Sequence, residues 1–132
     1  MLKRGLSRLA AGLSCAVLLA ACGCSSQGPQ AAPVDPELAR NTLQTVLEAW
    51  KSGESADVLQ TRSPSIVAQD MDWKMGYELV DYEVDGEGDA VDANLYCPVR
   101  LELRSPDGKN VTKNVRYVVG TDPVLTVFRE MF

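Results

Sequence analysis

Apolar and polar side chains alternate most regularly between Ala90 and Arg104. The apolar phase of this run is Val91, Ala93, Leu95, Cys97, Val99, Leu101 and Leu103. A period of two residues is typical of a strand with one face on a core and the other towards water, and it predicts one continuous strand over this range. Pro98 cannot donate a backbone hydrogen bond, which predicts an edge position or a bulge there.

A helical repeat precedes this strand. Apolar residues recur at spacings of three and four at Ala39, Leu43, Val46, Leu47 and Trp50. This spacing predicts an amphipathic helix from about Pro36 to Lys51, with Asp35 as its N-cap and Gly53 at its end. A short helical turn from Ser55 to about Gln60 and a short extended piece near Ser65 to Ala68 follow it.

Three shorter runs of period two predict further strands, over residues 77–85, 111–119 and 124–129. In the first run, Val80, Tyr82 and Val84 share the predicted inward phase. The order of elements predicts an α+β fold. We expect one main N-terminal amphipathic helix, packed on a curved antiparallel sheet of about four strands in a meander.

The first 21 residues have the composition of an export signal. Lys3, Arg4 and Arg8 precede an apolar stretch from Leu9 to Ala21, about 13 residues long and too short to cross a bilayer core of about 30 Å. The stretch ends in Leu19-Ala20-Ala21-Cys22, which resembles the lipobox of bacterial lipoproteins.

This resemblance implies that Cys22 receives a diacylglycerol and becomes the first residue, with Leu19, Ala20 and Ala21 as the recognition positions. Two or three acyl chains would anchor the protein durably to a membrane. The alternatives are an ordinary secretory signal, which disfavours a residue as large as Leu19 at the third position before the cut, and an uncleaved start.

The chain therefore divides into three predicted parts. Residues 1–21 are the signal peptide, and residues 22–34 are the lipidated cysteine and a flexible tether rich in Ser, Gln, Gly, Pro and Ala. Residues 35–132 form a single α+β domain. About 100 residues suffice for one modest hydrophobic core.

Charge and composition exclude some functions. Without the three basic residues of the signal, the chain has ten basic residues against eighteen acidic ones, a net charge of −8, which disfavours nucleic-acid binding. Histidine is absent, which removes imidazole as a general base and as a zinc ligand. We therefore expect no enzymatic activity, no catalytic residues, no cofactor and no metal site.

The order of elements, with Ala49-Trp50-Lys51-Ser52-Gly53 at the end of the main helix, resembles the nuclear-transport-factor-2-like superfamily and, less fully, the cystatin-like fold. The resemblance implies a conical pocket, for which the candidate residues are Tyr82, Tyr96 and Tyr117. From the pattern alone, Tyr82 and Tyr117 are more simply core residues, each with its hydroxyl directed to the edge of the core. The signal, the tether and the small domain together resemble small bacterial lipoproteins.

Three further features leave alternatives open. The acidic run from Asp81 to Asp92 fits either a calcium site or a solvated hairpin. Cys97 fits either a buried thiol or a disulfide with Cys24. Trp73 fits either a core anchor or, together with Met71 and Met75, an exposed apolar rim for a partner protein.

Our first hypothesis is a membrane-anchored, non-enzymatic lipoprotein of the cell envelope that faces the periplasm or the exterior. Its expected partners are the membrane, through the anchor, and an envelope protein. The alternatives are a pocket protein for a small apolar ligand and, third, an enzyme of the superfamily named above. A cone filled by Trp50 favours the first, a deep pocket lined by the tyrosines the second, and a pocket carboxylate of raised pKa the third.

Overall fold

The computed structural model describes residues 31–131. The helices are α1 (Pro36–Lys51), a 3₁₀ helix (Ala56–Thr61) and the short α2 (Met71–Lys74). The strands are β1 (Ile66–Gln69), β2 (Glu78–Val84), β3 (Asp89–Val91), β4 (Asn94–Arg104), β5 (Asn110–Gly120) and β6 (Leu125–Arg129).

All six strands form one curled sheet in the order β1-β6-β5-β4-β2, with β3 beside part of β4. The α+β class is confirmed, but the expected meander of four antiparallel strands is wrong, because β1 pairs in parallel with β6. β1 lies where a short extended piece was predicted, near Ser65 to Ala68, but its four residues give no local indication of a parallel partner. The main helix α1 has the predicted bounds, and because it begins at Pro36 it is not at the N-terminus of the chain.

The predicted continuous strand from Ala90 to Arg104 is two strands joined by a tight turn at Asp92 and Ala93. Asp92 has a φ of 51°, a conformation that aspartate tolerates better than most residues. The turn places Val91 opposite Asn94, on the outer face of the sheet, where Val91 is 52% exposed. Alternation continues through the turn in the sequence, so the pattern alone does not reveal it.

Two details of the predicted strands also need correction. β4 is an inner strand, in unbroken register with β5 at Pro98, so Pro98 is neither at a sheet edge nor at a bulge between these strands. On its other side Pro98 faces the gap between β2 and β3, where its carbonyl accepts from Asp85 N. Because no strand of the described residues pairs with β4 in this gap, the missing N–H of Pro98 removes no ladder hydrogen bond. In β2 a bulge turns Val80 outward, and Leu79 is buried instead.

α1 covers the inner face of the sheet. Asp35 caps the helix by accepting from the backbone N–H groups of Glu37 and Leu38. The core between the two layers consists mainly of Leu43, Val46, Leu47 and Trp50 from α1, Leu95, Cys97, Val99, Leu101 and Leu103 from β4, and Tyr117 and Val119 from β5. Trp50 is 3% exposed, and its indole Nε1 donates to the carbonyl of Tyr77 at 2.8 Å.

The chain enters the domain at one end of the sheet, which we call the entry end: the β3–β4 turn and the β5–β6 turn (residues 121–124). Val34 N donates to the Asp92 carbonyl, Asp35 N to Thr121 Oγ1 and Ala32 N to Asp122 Oδ2. Residues 32 and 34, assigned to the tether from sequence, thus contact the domain. The other end, with α2 and the β4–β5 turn (residues 105–109), is the far end. α1 runs between the two ends over about 24 Å.

We predict that Trp50→Ala lowers the free energy of unfolding by about 3 kcal/mol or more, because it removes a large buried side chain and leaves a cavity. Chemical denaturation monitored by circular dichroism measures this change. Leu38→Ala on the exposed side of the same helix is the control and changes stability by about 0.5 kcal/mol or less. Equal effects of the two substitutions would contradict the packing of α1 on the sheet.

Candidate functional site

A cluster of ionisable side chains lies on the inner face of the sheet beneath α2. Asp70 is the N-cap of α2, and its Oδ1 accepts from the backbone N–H groups of Asp72 and Trp73. Its Oδ2 accepts from the hydroxyl of Tyr117 at 2.5 Å. The Asp70 side chain is 3% exposed, so these bonds replace the water that it loses on folding.

Asp72 is the second carboxylate of the cluster. Lys113 Nζ donates to both of its oxygens, at 3.1 and 2.9 Å, and Arg129 Nη1 donates to its Oδ2. The same Nη1 lies 3.3 Å from Oδ1 of Asp70. Lys113 and Arg129 therefore tie the first turn of α2 to strands β5 and β6. We call Asp70, Asp72, Lys113, Tyr117 and Arg129 the ion-pair cluster.

The environment keeps Asp72 ionised and Tyr117 protonated. Burial favours the neutral acid of Asp72, but the hydrogen bonds from Arg129 and Lys113 outweigh burial and lower the pKa of this carboxyl. Burial and the Asp70 carboxylate raise the pKa of Tyr117, so its hydroxyl stays protonated and donates. Two carboxylates thus face two cations, a balanced arrangement that suits a structural clamp better than proton transfer.

Two cavities open beside the ion-pair cluster. One, of about 690 Å³, lies between α2, the middle of β5 and the end of β6, and Met71, Asp72, Arg129 and Met131 line it. The other, of about 850 Å³, lies at the far end between the 3₁₀ helix and α2, and we call it the α2 groove. Its lining includes Trp73, Tyr77, Met71, Phe128, Asp57 and Glu78.

A tryptophan pair forms one side of the α2 groove. The rings of Trp50 and Trp73 stack with centroids 5.3 Å apart and an angle of 10° between their planes. Trp50 is the buried member, and Trp73 is the half-buried member, whose Nε1 donates to the carbonyl of Glu54 at 3.0 Å. The stack links α1 to α2, and hence the core to the surface of the groove.

The structure does not bring the three candidate tyrosines together. Tyr117 is buried in the ion-pair cluster. Tyr82 faces α1, where its hydroxyl donates to Glu48 Oε1 at 2.6 Å, and burial together with that carboxylate raises its pKa. Tyr96 lies on the outer face of the sheet, 5.4 Å beneath the guanidinium of Arg116. The lining of the two cavities includes none of the three.

The other candidates are placed as follows. Cys97 is fully buried on β4, as one of its two readings predicted, and burial raises the pKa of its thiol. Both interpretations of Trp73 hold in part. Its ring stacks on Trp50 of the core, while Met71 and Met75, 47% and 56% exposed, lie beside it on the surface. The lipidation residue Cys22 and its recognition residues Leu19, Ala20 and Ala21 lie outside the described residues, as does Cys24.

The acidic run from Asp81 to Asp92 does not converge on one point. Asp81 pairs with Lys51 of α1, whereas Asp89 lies on β3 at the entry end. Within residues 31–131, no group of three or more aspartate, glutamate or cysteine side chains is placed to hold a metal ion. The solvated hairpin is therefore the interpretation that this part of the structure favours.

Sequence reasoning missed the ion-pair cluster. One signal for it exists, because Lys113 occupies an inward position in the alternation of β5, between Val111 and Val115. A lysine on a core-facing phase requires a buried anionic partner. That partner, Asp72, is 41 residues away in the sequence, and no local pattern connects the two.

Comparison of the chain with protein-family models, with curated proteins and with solved structures finds no match. Among the helices of the described region, none is long and apolar enough to cross a membrane.

We predict that Asp72→Asn destabilises the domain by about 2 to 3 kcal/mol, because it leaves Lys113 without a carboxylate and Arg129 with Asp70 alone in a largely buried site. Equilibrium denaturation at pH 7 measures the loss. Glu83→Gln, which removes an exposed carboxylate from β2, is the matched control and changes stability by about 0.5 kcal/mol or less.

The difference in stability between wild type and Asp72→Asn has a defined pH dependence. The pKa of Asp72 is lower in the folded state than its ordinary value of 3.8, so its contribution is complete above that value and is lost as the pH falls through the folded pKa. The difference between wild type and Asp72→Asn is therefore constant at neutral pH and shrinks below about pH 4. A difference that grows on acidification would show that Asp72 is not held ionised by its partners.

Proposed function

We propose that this chain is a bacterial lipoprotein, anchored by acyl chains on Cys22 to a membrane of the cell envelope, and that its domain is a non-enzymatic module for binding another envelope protein. The anchor is supported by the sequence Leu19-Ala20-Ala21-Cys22 behind a basic start and an apolar stretch. The domain follows as the part exposed to the periplasm or the exterior.

One observation carries the proposal for the domain, namely that side chains fill the space between α1 and the sheet. Trp50 is buried in this space, together with Leu43 and Leu47 of α1. Tyr117 fills the region under α2, with its hydroxyl bonded to Asp70. Both cavities lie at the border of this packed interior and open to the surface. A surface of this kind suits contact with a macromolecule better than enclosure of a small ligand.

The two alternative functions have less support. A small-ligand pocket would draw on Tyr82, Tyr96 and Tyr117, which lie at three separate places and on both faces of the sheet. An acid catalyst would draw on a pocket carboxylate of raised pKa. Asp72, one of the two carboxylates that line the smaller cavity, has its pKa lowered by Arg129 and Lys113.

Intact-mass analysis and membrane fractionation test the proposal, with the protein purified from membranes of its own host. We expect a chain that begins at Cys22 and carries a diacylglycerol with one further acyl chain or none, retained in the membrane fraction. In a Cys22→Ser variant the added mass and the retention are both lost. Cys24→Ser is the matched control, because it removes a nearby thiol and leaves the Leu-Ala-Ala-Cys sequence intact.

Two results would contradict an anchor at Cys22. A soluble, unmodified mature protein in both the wild type and the Cys22→Ser variant would contradict the anchor. A lipidated protein that is lost only in Cys24→Ser would move the anchor to Cys24.

A further inference from the structure

The point at which the chain enters the domain determines which end is tethered nearer to the membrane, if Cys22 is the anchor. Nine residues separate Cys22 from Ala32, whose N–H donates to Asp122 at the entry end. The ten residue steps from Cys22 to Ala32 span at most about 36 Å when extended. The entry end is therefore held close to the membrane, and the far end lies a further length of α1 away, about 24 Å.

Charge limits how closely the entry end approaches the membrane. The entry end and its neighbouring loop carry the exposed carboxylates of Asp85, Glu87, Asp89, Asp92 and Asp122. An anionic lipid surface repels carboxylates within about a Debye length. The entry end therefore stays off the lipid surface, within the reach that the segment after Cys22 allows.

The α2 groove combines an aromatic surface with apolar side chains. Trp73 and Tyr77 supply the rings, and Trp73 is supported from behind by its stack with Trp50. Met71 and Met131 form a flexible apolar border and are 47% and 75% exposed. Methionine borders adapt to different partner side chains.

Carboxylates outnumber cations in the lining of the α2 groove. Of the two cations, Arg129 is already bound by Asp70 and Asp72, which leaves Lys74. The carboxylates at the mouth that are open to a partner are Asp57 and Glu78. The side chain of Glu78 is 72% exposed, and its one ion pair in the described structure is a 3.7 Å contact with Arg104. Glu54, also at the mouth, is held by Arg62 at 2.6 Å.

We propose that the α2 groove binds a cationic peptide segment of an envelope protein, with arginine or lysine beside an apolar residue. The cationic head lies against the Trp73 ring, where a cation and an aromatic face attract each other, and within reach of Asp57 and Glu78. The apolar neighbour packs on Met71 and Phe128. The charges of the groove and the acidity of the whole domain favour this occupant over an acidic segment. The orientation of the groove rests on the proposed function, whereas its chemistry does not.

The test uses the full lipidated protein in detergent micelles and three blocked pentapeptides: Ser-Arg-Leu-Arg-Ser, Ser-Gln-Leu-Gln-Ser and Ser-Glu-Leu-Glu-Ser. Tryptophan fluorescence is the readout, because both tryptophans of the chain lie at this groove. We expect saturable binding of the arginine peptide, weakened by salt, and weaker or no binding of the other two.

A pair of double variants locates the binding. Asp57→Asn with Glu78→Gln removes the two open carboxylates of the groove and is expected to weaken the arginine peptide about tenfold. Glu83→Gln with Asp85→Asn removes two exposed carboxylates elsewhere and leaves the affinity unchanged. Unfolding midpoints equal to that of wild type show that both variants are folded.

Three outcomes would overturn the proposal. Equal binding of all three peptides would make the groove a purely apolar site. Equal weakening by both double variants would make the attraction non-specific. Self-association in analytical ultracentrifugation that the groove variant abolishes would make the occupant a second copy of this chain. Failure of the proposed anchor and failure of the proposed groove are distinguishable. The Cys22→Ser variant, assayed without detergent, is expected to bind the arginine peptide as the wild type does.

Discussion

The balance of charge in the ion-pair cluster is the constraint on which the far end of the domain depends. The sheet is apolar on its inner face up to the point where Lys113 and Arg129 appear, and there the covering element must supply carboxylates. Asp70 and Asp72 of α2 supply them. Because α2 has only four residues and no helical stability of its own, these contacts determine its position.

The position of α2 determines in turn the surface that the domain presents. Trp73 follows directly after Asp72, and it reaches back to stack on Trp50 of α1. Buried polar contacts and a buried aromatic contact thus meet at one short helix. One side of that helix belongs to the core, and the other borders the groove that we propose as the site of interaction.

Local patterns predicted much of the fold. The cap at Asp35, the helix through Trp50 and the inward phase of β4 from Leu95 to Leu103 are properties of neighbouring residues, and all three are present in the structure. Features that depend on distant residues were missed. The parallel pairing of β1 with β6 and the bond of Lys113 to Asp72 join segments far apart in the sequence. The turn at Asp92 was missed because alternation continues through it.

Native-state hydrogen exchange of the α2 amides tests the central claim, that the ion-pair cluster fixes α2 to the sheet. The N–H groups of Lys74, Met75 and Tyr77 donate to Asp70, Met71 and Asp72 respectively. We predict that these amides are protected in the wild type and exchange freely in Lys113→Met, while amides of β4 stay protected in both. Free exchange of the α2 amides in the wild type, beside a protected β4, would contradict the claim.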